Sequence, residues 1–120
     1  MKLSGVVSGH EPDSFEFSTL GGWISTRASG MKKNTYGNIE DMIQGITFVT
    51  PTGTYKKTEH WPRVSAGPDF NQVIIGHEGN MGVVTEAIIR VRPLPEMSEF
   101  ASLVFPTMEV GIKFMEEMSK

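Results

Sequence analysis

The sequence predicts an α+β fold, and three observations carry that expectation. Ile43 to Thr50 is dense in β-branched and aromatic residues and runs into a Pro51-Thr52-Gly53 turn signal. Val83 to Arg92 alternates side chains over a strand's length before two prolines stop it. The helical patterns around them are short, and glycine, at 13 of 120 residues, exceeds its usual ~7% and favours turns over long helices.

Taken in order, Asp13 to Thr19 reads as strand-like, with Phe15 and Phe17 two apart on the face a core would take. Thr19 is an N-cap candidate, Leu20, Trp23 and Ile24 follow at helical spacing, and Gly30 is a possible stop. Asn38 to Met42 predicts one helical turn, capped by Asn38 with Glu40 and Asp41 in its first turn. In the strand from Ile43, Ile46 and Phe48 share a face, and Thr54-Tyr55 starts a returning strand. Lys56 to Gly67 is a polar, proline-interrupted loop, and Pro68-Asp69 opens a short helix through Val73.

In the strand from Val83, strict alternation puts Val83, Thr85, Ala87, Ile89 and Val91 on one face. Val84, Glu86, Ile88, Arg90 and Arg92 then take the other. Pro93 and Pro95 end this strand and divide residues 1–94 from residues 95–120. Beyond them Phe100 to Phe105 predicts a short strand, and Thr107 caps a helix striped by Met108, Gly111, Ile112, Met115 and Met118, a pattern that reads as core packing. One strand and one helix do not make a domain, so residues 95–120 read as the start of a second one.

Composition excludes several classes. A net charge of −3 gives no argument for nucleic acid or for an anionic membrane surface. No cysteine is present, which removes disulfides and thiolate ligands. No apolar run approaches the ~20 residues of a membrane span, and no signal-peptide h-region is recognisable, so the chain reads as a soluble intracellular piece. His10, His60 and His77 lack metal-ligand spacing, and no nucleophile elbow or triad is evident, so no metal site is expected.

Two segments could face a ligand. Asp13 to Thr19 and the following Leu20 to Gly30 gather hydroxyls, a glycine pair and Arg27 around a helix start, where free N–H groups suit a phosphate. Plain turn chemistry explains the same residues. Gly76, Gly79 and Gly82 recur at every third position, which is not the dinucleotide fingerprint of a doubly wound fold. Met31-Lys32-Lys33-Asn34 sets two ammonium groups after Arg27, where they either attract a phosphate or line a solvated loop.

Glu11 to Asn34, Tyr36 to Asp41, Gly76 to Ala87 and Arg92 to Glu96 together resemble the alkyldihydroxyacetonephosphate synthase family. That family belongs to the vanillyl-alcohol-oxidase-type (PCMH-type) FAD superfamily. The Thr26-to-Asn34 run is specific to the synthases, whereas the Glu78-Gly79-x-x-Gly82 segment is shared more widely. The resemblance implies the C-terminal part of a PCMH-type FAD-binding domain over 1–94 and the start of a substrate (cap) domain over 95–120. It implies FAD contacts by Asp13, Ser14, Phe15, Glu16, Phe17, Ser18 and Thr19, by Thr26, Arg27, Ala28 and Ser29, and by Glu78, Gly79, Asn80, Met81, Gly82, Val83 and Val84. Arg27 would be the cation among them. The family usually carries serine, threonine and leucine where His77, Asn80 and Met81 stand here.

The resemblance further implies exchange of the acyl chain of acyl-dihydroxyacetone phosphate for a long-chain fatty alcohol, making the ether bond of ether lipids with no net redox change at FAD. It implies a homodimeric, peroxisomal enzyme at the membrane face. The family's pyrophosphate-cradling glycine loop has no counterpart here, and its catalytic residues are expected outside these residues, so the chain reads as an internal fragment. The alternatives are an FAD-linked oxidoreductase of a 2-hydroxy acid such as D-lactate, or a non-catalytic stub.

Overall fold

The computed structural model describes residues 2–3, 5–57, 61 and 64–120, without the side chains of Lys2 and Leu3. His60 lies outside that set. The elements are β1 (Lys2–Leu3), β2 (Val6–Val7), α1 (Leu20–Ser25), α2 (Lys33–Tyr36), α3 (Ile39–Met42), β3 (Ile43–Thr50), β4 (Gly53–Lys56), α4 (Asn71–Ile74), β5 (Val83–Ile89), β6 (Arg92–Pro93) and α5 (Met108–Met118). They form two antiparallel three-stranded sheets, ordered β4-β3-β5 and β1-β2-β6. The α+β expectation holds.

β3 is the central strand because its two edges serve different partners: the β4 hairpin pairs Phe48 with Tyr55, and β5 pairs Ile46 with Ala87. Ile46 and Phe48 point to one buried face, as their spacing predicts. Onto that face α1, α3 and α4 deliver Trp23, Ile24, Ile39, Ile74 and Ile75. Short helices suffice here because tertiary packing, and not propensity, holds them. α3 also gains local support: the Asp41 carboxylate accepts the Asn38 N–H at 2.8 Å, half of a capping box.

The β5 faces differ from strict alternation. Thr47 pairs with Glu86 and Phe48 with Val84, so Thr85 is an extra residue, a β-bulge whose hydroxyl donates to the Thr47 carbonyl at 3.3 Å. The bulge turns Val84 onto the same packed face as Ala87, three residues away. After Ile89 the chain leaves this sheet, and Arg92–Pro93 pair with β2 in the other.

Four further expectations are corrected. Asp13 to Thr19 is a succession of turns and not a strand. The Phe15 N–H bonds the Pro12 carbonyl, and the Phe17 and Ser18 N–H groups bond the Ser14 carbonyl, all at 2.9 Å. Local bonding of this kind is what Pro, Asp and Ser promote, and it leaves Phe17 92% exposed. Phe100 to Phe105 is irregular, since no strand of the described residues pairs with it. α5 forms with its Thr107 cap, yet Met108, Ile112, Met115 and Met118 are exposed instead of packed. On its inner side the ring of Phe105 lies 5.2 Å from that of Phe114. α1 also ends earlier than Gly30, at Ser25, for the reason given below.

His10 is buried against Trp23, ring to ring at 4.9 Å, and neither imidazole nitrogen finds a partner among the described residues. Burial holds its pKa below the ordinary value of 6.5, opposed by the Glu40 carboxylate. Below that value the unfolded chain takes up a proton that the folded chain refuses, so stability falls as pH drops from 6.5 and is retained above it. Thermal melts from pH 5 to 8 check this: the midpoint declines on the acid side, and His10→Gln flattens that decline. In denaturant titrations Ile46→Ala costs about 2–5 kcal/mol as a cavity in the core. Met115→Ala stays within about 0.5 kcal/mol, as an exposed substitution.

Candidate cofactor cleft

The site begins at the two ends of α1. At its N-terminus the Thr19 hydroxyl accepts the Gly22 N–H at 3.1 Å. The Leu20 and Gly21 N–H groups are left without an acceptor among the described residues. At its C-terminus the chain closes in a Schellman turn: the Ala28 N–H reaches the Trp23 carbonyl at 2.9 Å and the Arg27 N–H reaches that of Ile24. The left-handed position of this turn, ordinarily a glycine, is Arg27, at φ 50°. That turn is why α1 stops well before Gly30.

Two backbone bonds join this turn to the glycine-rich loop. The Gly76 N–H donates to the Ile24 carbonyl at 3.0 Å and the Glu78 N–H to the Ser25 carbonyl at 2.9 Å. Glu78 is the second left-handed non-glycine residue, at φ 48°. The loop then folds back through Gly79 and Gly82 into β5. Between α1 and this loop lies an open cleft of about 270 Å³, lined by Thr19, Gly21, Gly22, Ser25, His77, Gly79, Gly82, Val83 and Val84.

Of the residues the sequence analysis assigned to FAD, Thr19, Gly79, Gly82, Val83 and Val84 therefore meet in one cleft, although some 60 positions separate their segments. Glu78 builds the seam, and Asn80 and Met81 lie exposed at the loop tip. Asp13, Ser14, Glu16 and Phe17 stand outside the cleft, on the turn that precedes it. Phe15 stacks on Trp23 at 6.2 Å, and the Trp23 Nε1–H donates to the Ser18 hydroxyl at 2.6 Å, so these two pin that turn to α1.

The Thr26-to-Ser29 segment is likewise occupied within the fold. Thr26 bonds the Gly22 carbonyl, Ala28 packs on the core, and Ser29 donates to the Asn38 side chain. Arg27 turns its guanidinium to the Ile75 and Gln72 carbonyls, at 3.3 and 3.4 Å. Gly21, Gly22, Ser25 and His77 line the cleft and are absent from the sequence-derived set. The glycine pair beside an N-cap was the available signal for the first two.

A larger hollow of about 420 Å³ lies elsewhere, walled by Tyr55, Lys57, Trp61, Asp69, Phe70 and Arg90 among others. It holds none of the sequence-assigned residues.

Residues 1–59 match the sequence pattern of the FAD-binding domain. The alkyldihydroxyacetonephosphate synthase of Caenorhabditis elegans is 56% identical over 119 residues, covering 99% of this chain and 20% of that protein. A solved structure of an alkyldihydroxyacetonephosphate synthase superposes with a TM-score of 0.70 at 47% identity, covering 78% of this chain and 16% of the other. The mitochondrial D-lactate dehydrogenase of Arabidopsis thaliana is more distant, 38% identical over 93 residues. The fold is that of an FAD-binding-domain flavoprotein. Within that class the chain is similar over nearly its whole length to an alkyldihydroxyacetonephosphate synthase, and it spans about a fifth of the length of the worm relative it matches.

The cleft fits parts of FAD. Four glycines leave its walls bare of side chains, so backbone N–H groups can approach an acceptor edge closely. A Cβ on Gly82 would overlap the Val49 carbonyl oxygen. Val83 and Val84 add an apolar strip suited to a ring system.

The Arg27 turn yields a prediction with an unusual order. Arg27→Ala keeps the left-handed backbone, which costs of order 1–2 kcal/mol, and loses both side-chain bonds to α4. Arg27→Gly loses the same bonds but relieves the backbone. In urea titrations the alanine variant is the less stable by about 1 kcal/mol.

Proposed function

We propose that the polypeptide carrying these residues is a flavin-dependent alkyldihydroxyacetonephosphate synthase. It exchanges the acyl chain of acyl-dihydroxyacetone phosphate for a long-chain fatty alcohol and so forms an ether bond. The observation that carries this reading is the convergence of Thr19 with Gly79, Gly82, Val83 and Val84 in one glycine-walled cleft, in a chain whose identity to a synthase runs over nearly its whole length. FAD supplies the chemistry that activates the substrate. The residues here hold and orient it: backbone N–H groups of α1 and the loop face its polar edge, and Val83 and Val84 face its apolar one. Arg27 acts by shaping the turn behind the cleft as well as by its charge. The residues that move protons on the substrate belong to other parts of the enzyme. The acting enzyme is a homodimer in peroxisomes, associated peripherally with the membrane.

The cleft, at about 270 Å³, is at the low end of the roughly 300–1,000 Å³ of small-molecule sites. It takes one portion of FAD and leaves the rest to other walls. The 120-residue chain alone therefore binds FAD weakly and purifies without stoichiometric yellow flavin. The functional test is incorporation of a labelled fatty alcohol into acyl-dihydroxyacetone phosphate by the intact polypeptide, with release of one fatty acid per ether formed. Flavin reduction by D-lactate under anaerobic conditions, without alkyl transfer, would replace this reading by the 2-hydroxy-acid oxidoreductase.

A further inference from the structure

Trp23 is buried in the core and is not among the residues that line the cleft, although Gly21, Gly22 and Ser25 on the same helix are. Its ring meets His10 edge-on at 4.9 Å and lies stacked with Phe15 at 6.2 Å. Its single polar group, the indole Nε1–H, donates to the Ser18 hydroxyl at 2.6 Å. That hydroxyl donates in turn to the Ser14 carbonyl at 2.7 Å. The same carbonyl accepts the Phe17 and Ser18 backbone N–H groups. The indole proton thus heads a chain of hydrogen bonds that closes the turn before α1.

The two positions it joins have a defined mechanical role. With Thr19 as the N-cap of α1, Ser18 is the residue before the cap and Trp23 is the fourth helical residue. Those are the positions that a hydrophobic staple joins, and a staple fixes the angle at which the chain enters a helix. Here a hydrogen bond makes the link, and Thr19, the cap itself, lines the cleft. Ser18 has no proton left for a ligand. A hydroxyl carries one, and that of Ser18 is committed to Ser14. The phosphate oxygens and ring carbonyls of FAD are acceptors and call for donors. The resemblance counts Ser18 among the FAD contacts, whereas its hydrogen bonds give it a supporting task.

We propose that Trp23 is a positioning residue for the cofactor, acting through Ser18. Its indole N–H sets the angle at which the chain enters α1, and so where Thr19, Gly21 and Gly22 stand on the cleft wall. The inference rests on the flavin reading of the cleft. Trp23 is 7% exposed, so an indole N–H that loses the Ser18 oxygen gains little from water in exchange.

The experiment is a titration of FAD into the flavin-stripped intact polypeptide. It compares wild type with Trp23→Phe, Ser18→Ala, the double variant and Ser18→Thr. Each is measured on protein that circular dichroism shows to be folded, with urea midpoints recorded separately. Trp23→Phe keeps an aromatic ring between His10 and Phe15 and removes only the N–H. The expected result is FAD affinity roughly two- to tenfold weaker in each of the first two variants, as one hydrogen bond is lost. The double variant is no weaker than the worse single one, and Ser18→Thr, which keeps the hydroxyl, binds as wild type does. Lowered urea midpoints with wild-type FAD affinity overturn the proposal, since the bond then serves the fold alone. Additive losses also overturn it, because Ser18 then acts on the flavin without Trp23. Should Trp23→Phe not fold, hydrogen exchange of Ser18→Ala decides. Faster exchange over residues 19–23 together with weaker FAD binding supports the proposal, and either one without the other overturns it. Wild type that binds no FAD removes the flavin reading and this inference with it. Wild type that binds FAD beside unaffected variants removes this inference alone.

Discussion

The site hangs on a seam of two backbone hydrogen bonds, Gly76 to Ile24 and Glu78 to Ser25. Helix ends leave carbonyls without partners. In α1 those carbonyls are satisfied by a loop from the other end of the domain rather than by water. The geometry demands left-handed backbone on both sides of the seam, at Arg27 and at Glu78, and neither is glycine. Each such residue stores backbone strain of order 1–2 kcal/mol, and the surrounding fold must over-determine it. Arg27 contributes to that determination itself, by reaching back to the α4 carbonyls.

The β-sheet serves the seam. β3 takes β4 on one edge and β5 on the other, and β5 begins where the glycine loop ends. The Thr85 bulge brings Val84 round to the helix side, close to Gly21, whose absent Cβ would meet the Val84 carbonyl oxygen at 3.4 Å. A regular strand would have faced Val84 away from α1 and closed the cleft with a threonine. The bulge therefore sets which side chains wall the cleft, a common role for bulges beside functional sites.

Much of the fold was legible because its signals are local. The Thr19 cap, the α3 turn from Asn38, the Ile46–Phe48 face and the Pro51–Gly53 hairpin each follow from a few adjacent residues, and each forms. What was not legible depends on partners distant in sequence. The Thr85 bulge exists because of the register with Thr47, which no periodicity reveals. The Met108–Met118 stripe says that α5 has a face to cover but not what covers it. Phe15 and Phe17 satisfy a strand's spacing while Pro12, Asp13 and Ser14 turn the chain, and local turn chemistry overrode the alternation. In the cleft, glycines and hydroxyls could be anticipated, whereas His77 had no pattern to announce it.

Charge in this cleft follows from hydrogen-bond supply rather than from residue type. A guanidinium is always charged and offers five donors, which makes Arg27 the obvious cation in the sequence. Those donors are also what an uncapped short helix needs, and the Gln72 and Ile75 carbonyls at the end of α4 take two of them. Imidazole offers fewer, and the His77 ring bridges the Ile74 and Gly82 carbonyls at the two ends of the loop. The fixed cation thus lies behind the wall, where it ties the α1 turn to α4, and the ring lies within the wall, joined to both ends of the loop.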